Sequence, residues 1–332
     1  MTSLLVLGGT SFVGRHIVES ALDSGHDVTV FNRGQTNAEL FPGVERLTGD
    51  RSTGDYASLA GRTWDACIDV SAYFPHQVRE VGAAIGSAVG HYTYISTVSV
   101  YRPSTHPVDE TSPLLDVGPG EGATERTGET YGPLKVLCEQ AAGEIFDGRL
   151  TVVRPGIVAG PYDPTGRFTS WVRRLTRPGP MLASRPDSPV QVIHGRDLGD
   201  FVVGVTDASV AGTFNATGPT SNGVPLSEVI DVCAEAAAVH RPEVVWVDED
   251  FIAAYNVPLP LYLASSAESD GLEHASCERA VGAGLVNRPL LQTASDTLAW
   301  LRAPGGGEAK HVELLTPERE SELLALWAQQ ST

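Results

Sequence analysis

Predicted strands alternate with helically spaced apolar positions through the first 160 residues. The strands are expected at 4–7, 28–31, 44–50, 66–70, 91–97 and 150–155. Between the first two, residues 12–22 place Val13, Ile17 and Val18 on one helix face. Uninterrupted apolar runs such as 4–7 are typical of strands buried on both faces of a parallel sheet. The alternation therefore predicts an α/β fold built on a doubly wound parallel sheet.

The second half of the chain mixes the two patterns. Strands are predicted at 190–194 and 213–216, and helices near 198–205, 226–238, 290–301 and 317–329. We expect a nucleotide-binding domain from 1–160 plus about 189–216, and a smaller substrate-binding lobe from 161–188 and 217–332. The glycines of 304–307 predict a flexible linker before the last helix.

A glycine-containing turn joins the first strand to the first helix. Gly8 permits a tight turn, and Gly14 permits close packing of the helix on the strand. The N–H groups and dipole of a helix start favour a diphosphate. The usual dinucleotide pattern has a middle glycine where this chain has Ser11, so an ordinary strand–helix turn is the alternative. The residues expected to contact the cofactor here are Gly8, Thr10, Ser11, Phe12 and Val13.

The end of the second strand indicates which dinucleotide is bound. Dinucleotide folds usually place Asp or Glu here to accept hydrogen bonds from the ribose hydroxyls. This chain has the neutral Asn32 followed by Arg33, whose guanidinium suits a phosphate. The pair predicts NADP(H) rather than NAD(H); the alternative is a solvated loop arginine.

Other strand ends should border the same ligand, because ligands bind at the carboxyl ends of strands in open parallel sheets. Asp50 is a candidate acceptor for the adenine amino group, although a plain loop aspartate explains it equally well. Ser71 should lie beside the nicotinamide ribose, and residues 156–161 should form a bordering loop. The remaining cofactor candidates at these ends are Arg51, Pro155, Gly156, Ile157 and Val158.

Tyr131 and Lys135 lie four residues apart, and hence on one helix face. A free phenol has a pKa of about 10, and a nearby ammonium group lowers it by stabilising the phenolate. A tyrosine tuned in this way can exchange a proton while a hydride moves at the adjacent carbon. Ser96 and Thr97 end the preceding strand, where a hydroxyl could orient the same substrate oxygen.

These motifs resemble the short-chain dehydrogenase/reductase superfamily, in its extended, epimerase/dehydratase-like branch. The resemblance is carried, over about two thirds of the chain, by 8–14, 95–101, 131–135, 154–161, 194–198 and 214–216. It implies a Rossmann fold in which Thr97, Tyr131 and Lys135 are catalytic. It further implies that Lys135 holds the nicotinamide ribose and that residues 155–158 lie near the nicotinamide amide.

The chain also looks like an atypical branch of this superfamily that includes chloroplast stem-loop RNA-binding proteins. The motifs shared with that branch are those at 8–14, 32–34 and 288–290. Some members of the branch have lost parts of the active site, whereas this chain has kept Tyr131 and Lys135.

Composition narrows the expected partners. The chain has 332 residues and a net charge of −18, which disfavours nucleic acid and anionic membranes. It has no apolar run long enough to span a membrane, and its four cysteines lack metal-ligand spacing. We expect no signal peptide, because the N-terminal apolar stretch is too short and lacks a basic start. We expect a cytoplasmic monomer or homodimer that acts on a small molecule, without a metal, nucleic acid or membrane partner.

Residues 102–128 interrupt the pattern, being rich in Pro, Gly, Asp and Glu. Their ends lie close to Thr97 and Tyr131, so they predict a mobile lid over the substrate; a passive surface insertion is the alternative. Arg173, Arg174 and Arg177 form a short basic stretch suited to a phosphate or carboxylate. The substrate-contacting candidates are Tyr73, Val98, Trp171, Arg174 and Arg196.

Three functions fit these observations. The first is an NADP-dependent oxidoreductase acting on a carbonyl or hydroxyl of a small polar or sugar-like substrate. The second is a sugar-nucleotide epimerase or dehydratase that recycles its hydride on a retained NAD(P). The third is a non-catalytic relative that binds NADP or RNA.

Overall fold

A computed structural model describes residues 1–264, 270–305 and 314–330. Its strands are β1 Ser3–Leu7, β2 Asp27–Asn32, β3 Glu45–Thr48, β4 Trp64–Asp69, β5 Val89–Ile95, β6 Leu150–Pro155, β7 Ile157–Ala159, β8 Met181–Ser184, β9 Pro189–Val190, β10 Val192–His194, β11 Gly212–Ala216, β12 Val224–Pro225 and β13 Val244–Val247. Its α-helices are α1 Phe12–Asp23, α2 Pro75–Ile85, α3 Gly128–Ile145, α4 Thr169–Arg174, α5 Gly195–Asp207, α6 Leu226–Ala237, α7 Glu249–Tyr255, α8 Glu278–Gly282, α9 Leu290–Arg302 and α10 Pro317–Gln330.

Seven parallel strands form the main sheet in the order β3-β2-β1-β4-β5-β6-β11. The predicted doubly wound parallel sheet is confirmed. The chain proceeds outward from β1 to β3 and then crosses back to β4 on the other side of β1. A crevice at such a reversal, at the carboxyl ends of the strands, is where open α/β sheets bind ligands.

Alternate side chains of β1 serve two different cores. Leu4 and Val6 join the apolar cluster under α1 and α5, whereas Leu5 and Leu7 join the cluster under α2 and α3. All four side chains are fully buried. A strand covered by helices on both faces has no solvent side, which explains why its sequence is an uninterrupted apolar run.

A third apolar cluster lies beyond the main sheet. Its members come from residues 159–192 and 226–323, and they include Trp171, Ile230 and Phe251. Here β8 pairs with β13, and α6 packs against α9. This cluster gives the second half of the chain a core of its own. The division into domains stays a prediction, and the predicted linker at 304–307 runs into residues outside the described part.

Two predicted elements differ from the structure. The single strand at 190–194 is divided at Gln191, because Val190 pairs antiparallel with β12 while residues 192–194 pair parallel with β7. The Gln191 side chain fills the break by donating to the carbonyls of Thr220 and Ser221. Residues 156–161 were expected as a loop, but Ile157–Ala159 form β7 since β10 offers them a partner.

The segment 102–128 has little regular structure, as predicted, but its first half is anchored. Val108 is buried, and its N–H donates to the Gly271 carbonyl. The Glu110 carboxylate accepts from the Asn215 N–H at 2.7 Å. Residues 121–126, by contrast, are almost all exposed. Lid motion stays a prediction, and the part free to move without breaking these contacts is the second half.

Candidate active site

The turn between β1 and α1 has the shape of an anion cradle. Gly14 packs so closely on Gly9 that an added Cβ would come within 2.6 Å of the Gly9 nitrogen. Ser11 has a φ of −139°, which is extended backbone open to any residue, so no middle glycine is required. The first N–H groups of α1 have no partner within the helix. The turn therefore fits a diphosphate despite the departure from the usual pattern.

Two arginines flank the end of β2. Asn32 is held by its neighbours, with its side-chain oxygen accepting from the Gly34 N–H at 2.8 Å and from Arg46 Nη1 at 3.4 Å. Arg33 is exposed, and its charge contributes to lowering the pKa of Asp50, whose largest causes are hydrogen bonds from Ser52. Arg46 was not among the predicted residues. The parallel register of β3 on β2, which pairs Arg46 with Val30, is the signal that would have found it.

The end of β4 is shaped by a buried ion pair. Arg51 Nη1 and Nη2 bind the two Asp69 oxygens at 2.6 and 2.8 Å. Burial acts to raise the pKa of Asp69, but the Arg51 charge and hydrogen bonds outweigh it and hold that pKa below its usual range. Asp69 also accepts from the N–H groups of Ser71 and Ala72. The pair thus fixes the turn that follows β4.

These contacts change the interpretation of Arg51 and Ser71, both expected to contact the cofactor. The Arg51 guanidinium is buried against Asp69 and also donates to the Ser71 hydroxyl at 2.9 Å. That hydroxyl in turn donates to the Leu7 carbonyl. Both side chains are therefore engaged in shaping the crevice wall, and their roles are structural in this geometry.

Lys135 links the helix α3 to two strand ends. It is 2 % exposed, and its Nζ donates to the carbonyl of Ile95 at 2.6 Å and to that of Ala72 at 3.2 Å. The ammonium also lies 4.3 Å from the centre of the Tyr94 ring. Burial lowers the pKa of Lys135 to about 8. The side chain is therefore charged at neutral pH, at the position expected of a catalytic lysine.

Tyr131 lies one helical turn before Lys135, on the same face of α3. Burial and the neighbouring Tyr73 raise the pKa of its phenol; the Thr97 hydroxyl and the charges of Arg126 and Arg167 act in the opposite direction. The expectation that Lys135 lowers this pKa below the usual value is wrong for this geometry, because burial outweighs the nearby charges. The phenol is accordingly protonated at neutral pH.

Thr97 follows β5 and caps the short 3₁₀ turn Val98–Val100. Its hydroxyl accepts from the Ser99 N–H at 3.1 Å, which fixes the side chain at the carboxyl edge of the sheet. Gly132 lets α3 approach this turn, since a Cβ there would come within 2.5 Å of the Ser99 carbonyl oxygen. The structure thus brings Thr97, Tyr131 and Lys135 to one edge, beside the switch point.

A second buried ion pair holds α3 on the other side. Glu139 binds Arg154 of β6 at 2.6 and 3.0 Å, and also accepts from the Ser96 hydroxyl. Arg154 Nη1 donates to the Tyr101 hydroxyl at 2.8 Å. Lys135 and Glu139 together tie one helix to the ends of β4, β5 and β6. This network could not be predicted from the sequence, because Glu139 and Arg154 each look like an ordinary surface charge when considered singly.

The first part of the chain matches the model of a known protein family. Residues 4–58 match the model of the NAD dependent epimerase/dehydratase family. The fold agrees over nearly the whole chain with Thermus thermophilus UDP-glucose 4-epimerase in complex with NAD, at a TM-score of 0.64 and 19% identity. That alignment covers 91% of this chain and 99% of the other. Residues 4–58 are therefore similar to that family, and the chain as a whole shares its fold with the epimerase structure.

Two relatives are more similar in sequence. The chloroplast stem-loop binding protein of 41 kDa b of Arabidopsis thaliana is 26% identical over 267 residues, which are 73% of this chain and 65% of that protein. The 2-alkyl-3-oxoalkanoate reductase of Stenotrophomonas maltophilia is 29% identical over 181 residues, or 48% of this chain and 52% of that protein. The chain thus spans less than two thirds of the length of either relative.

The predicted nicotinamide-side residues lie where β6 passes into β7. Pro155 ends β6, and the Gly156 N–H donates to the Ala216 carbonyl. A Cβ on Gly156 would come within 2.5 Å of Thr217 Oγ1. Ile157 and Val158 pair with Val192 and Ile193 in β7 and β10. The segment is thus a rigid wall of strand.

Two of the predicted substrate-contacting residues, Tyr73 and Val98, lie near one or more of Thr97, Tyr131 and Lys135. The Tyr73 ring is centred 6.4 Å from the ring of Tyr131 and 5.3 Å from Lys135 Nζ. Val98 belongs to the turn that Thr97 caps and is partly buried. Tyr73 thus neighbours Tyr131, and Val98 is the residue next to Thr97.

Three other candidates are engaged elsewhere. Trp171 is 2 % exposed and donates to the Pro260 carbonyl inside the second lobe, and Arg174 forms a buried pair with Glu320 at 2.6 Å. Arg196 pairs with Asp23 at the end of α1 and with Asp200. These contacts do not bring the three side chains to Tyr131. The basic stretch 173–177 also fails to form an anion site of its own, since Glu320 engages Arg174 and Arg177.

The expectations about metal and membrane partners can be compared with the described residues only. Within the described residues no group of His, Cys, Asp or Glu has the arrangement of a metal site. None of the helices built from those residues is both long and apolar enough to cross a membrane. All four cysteines are buried and unpaired.

Proposed function

We propose that this chain is an NADP(H)-dependent oxidoreductase that interconverts a carbonyl and a hydroxyl of a small polar or sugar-like molecule. The observation that carries the proposal is the placement of Thr97, Tyr131 and Lys135 at the edge where the β1–α1 cradle opens. The cradle supports binding of a dinucleotide, and the trio supplies a proton donor beside it. The similarity of residues 4–58 to the NAD dependent epimerase/dehydratase family supports the same cofactor class.

The proposed chemistry divides between cofactor and protein. The reduced nicotinamide, when bound, supplies the hydride that reaches the carbonyl carbon. Tyr131 donates its phenolic proton to the carbonyl oxygen as negative charge develops there, so the substrate gains one hydride and one proton. Thr97 orients that oxygen with its hydroxyl. Lys135 stabilises the phenolate that remains until solvent returns a proton; oxidation runs in reverse.

The preference for NADP(H) over NAD(H) rests on charge. The β2 end carries Asn32 instead of a carboxylate, and Arg33 and Arg46 both lie beside it. Guanidinium groups suit a phosphate, and a neutral amide does not repel one. Asp50 lies near enough for the Arg33 charge to act on it, and its carboxylate remains the proposed acceptor for the adenine amino group.

Removing the Tyr131 hydroxyl tests the proposal directly. Tyr131→Phe should lower the rate of NADPH oxidation with a reducible substrate by about 10²- to 10⁴-fold, the usual contribution of a positioned acid. Tyr255→Phe removes a hydroxyl that accepts from Gln330 in the second lobe and should leave the rate unchanged. Equal rates in wild type and Tyr131→Phe would contradict the assignment.

The epimerase or dehydratase alternative predicts a different balance of cofactor. An enzyme that recycles its hydride keeps NAD(P) through purification and consumes none during turnover. Absorbance at the reduced-nicotinamide band during turnover separates the two: net loss supports the oxidoreductase, whereas substrate conversion at constant absorbance supports the alternative.

A second candidate function follows from the Arabidopsis thaliana relative, whose name describes binding to stem-loops. The net charge of −18 opposes binding to a polyanion. An electrophoretic shift of a labelled RNA stem-loop at low salt decides between them. A shift that salt weakens and that survives in Tyr131→Phe would support the binding function.

A further inference from the structure

Arg126 is an exposed arginine outside the predicted site that lies near Tyr131. Arg126 belongs to the exposed second half of the segment 102–128, and its Cζ lies 4.3 Å from the centre of the Tyr73 ring. That ring is in turn 6.4 Å from the ring of Tyr131. Arg126 therefore approaches the reaction centre across a single aromatic side chain.

A second exposed arginine, Arg167, lies at the start of the second lobe, one residue before the buried Phe168. Its Nε donates to Thr165 Oγ1 at 3.3 Å, which leaves the two terminal amino groups of the guanidinium for other partners. Its charge and that of Arg126 both favour the phenolate form of Tyr131.

Neither arginine has a carboxylate partner in the part of the chain that the structure describes. Glu125 and Glu129 are close to Arg126 in sequence, yet neither carboxylate lies within 4.0 Å of the Arg126 guanidinium nitrogens, the distance that defines a salt bridge. This is notable in a chain with 41 acidic and 23 basic side chains. Elsewhere in the molecule arginines such as Arg62 and Arg102 have found acidic partners.

We propose that Arg126 and Arg167 bind an anionic oxygen group of the substrate, a carboxylate or a phosphate, while its carbonyl or hydroxyl lies at Tyr131. Guanidinium groups present several donors in a plane, which matches either anion. Tyr73 lies between the anion and the reacting carbon and sets their separation. The proposal deepens the proposed function by naming a substrate class, and it makes Arg126 the specificity residue that segment 102–128 contributes.

Paired probes that differ only in charge test this by calorimetric titration of the whole chain. One pair is acetoacetate and methyl acetoacetate; the other is dihydroxyacetone phosphate and dihydroxyacetone. At least one charged probe should bind about tenfold more tightly than its neutral partner. The pair that shows the preference identifies carboxylate or phosphate as the anion.

Variants assign the preference to the two arginines. Arg126→Gln and Arg167→Gln should each reduce it about tenfold, and the double variant should abolish it. Arg102→Gln removes an arginine of the same segment that pairs with Asp116 at 2.6 Å, and it should leave the preference intact. Thermal melting verifies that all variants fold.

The outcomes separate this inference from the proposed function. Binding of charged probes that survives the double variant, equal binding of charged and neutral probes, or no binding of any probe at millimolar concentration overturns the inference. Because binding is measured without turnover, an anion preference that depends on both arginines would stand even if Tyr131→Phe showed that no reduction occurs.

Discussion

Two groups of arginines in this chain have opposite surroundings. Arg51 and Arg154 are buried and each is bonded by two nitrogens to a carboxylate, Asp69 or Glu139. Arg33, Arg126 and Arg167 are exposed, and in the described part of the chain no carboxylate lies within salt-bridge distance of any of them. Arg33, Arg51 and Arg154 lie at or near the carboxyl ends of β2, β3 and β6.

The difference separates architecture from recognition. A buried guanidinium must be paired, because an isolated charge in the interior is very costly. An exposed guanidinium without an acidic partner keeps its donors available for an incoming anion. Burial of the first group fixes the crevice, and the second group carries the proposed binding of phosphate or carboxylate.

The largest effect should come from breaking a buried pair. Arg51→Met leaves Asp69 buried without its cation and should lower the free energy of unfolding by about 3–5 kcal/mol. Arg62→Met removes an exposed pair with Glu45 and should cost about 0–1 kcal/mol. Urea unfolding of both variants measures the contrast, and similar losses would erase the distinction between the two groups.

The exposed group should affect a ligand and spare the fold. Arg33→Ala should weaken NADPH binding by about tenfold to a hundredfold, since hydrogen bonds to charged groups contribute about 1.5–3 kcal/mol. NADH binding and the melting temperature should not change. If titration shows NADH binding as tightly as NADPH, and the variant alters neither, the cofactor assignment is wrong.

The buried Lys135 should make activity depend on pH. Its pKa of about 8 implies that the ammonium is lost as pH rises past that value, so turnover should be level from pH 6 to 7.5 and then fall about tenfold per pH unit. Its contribution to stability has the opposite sign. The unfolded chain, with a lysine pKa of about 10.4, holds the proton longer, so this contribution rises between pH 8 and 10.4.

Measurements of turnover and unfolding at the same pH values test both signs. A rate that stays level to pH 10 would show that the charge of Lys135 is not needed. The protonated Tyr131 phenol, with its raised pKa, should not contribute a second fall within this range.

Shortening the exposed half of segment 102–128 should have the smallest effect. Replacing residues 121–124 with a Gly-Ser bridge keeps Arg126 and the anchored Val108 and Glu110. Turnover should drop by at least about tenfold, or about 1.4 kcal/mol of barrier, while NADPH affinity is unchanged. Unchanged kinetics in the folded variant would identify the segment as a passive insertion.

The sequence predicted what depends on local patterns. The sheet, its helices and the trio Thr97, Tyr131 and Lys135 follow from apolar runs and residue spacing. The pairing of distant charges does not, because nothing local links Arg51 to Asp69 or Arg174 to Glu320. Those pairs explain why Arg51 and Arg174, expected at ligands, are engaged inside the protein.

The surroundings of a residue could not be predicted from the sequence even where its position was. Spacing puts Lys135 beside Tyr131, but the burial that raises the pKa of Tyr131 depends on how α3 packs on the sheet. Arg46 was missed for a related reason, since its place beside Asn32 follows from strand register.

The hydrogen bonds of Lys135 affect how a chain with this fold could lose or keep activity. Two of the three hydrogens on its nitrogen are bonded to main-chain oxygens. Its removal would leave the buried Ile95 carbonyl without this donor, at about 1–3 kcal/mol, whereas the Ala72 carbonyl would keep the Tyr94 hydroxyl. A descendant that stopped catalysing would still be penalised for discarding it, whereas the hydroxyl of Tyr131 carries no such architectural duty. The presence of Lys135 is therefore weak evidence for enzymatic activity, whereas the presence of Tyr131 is informative.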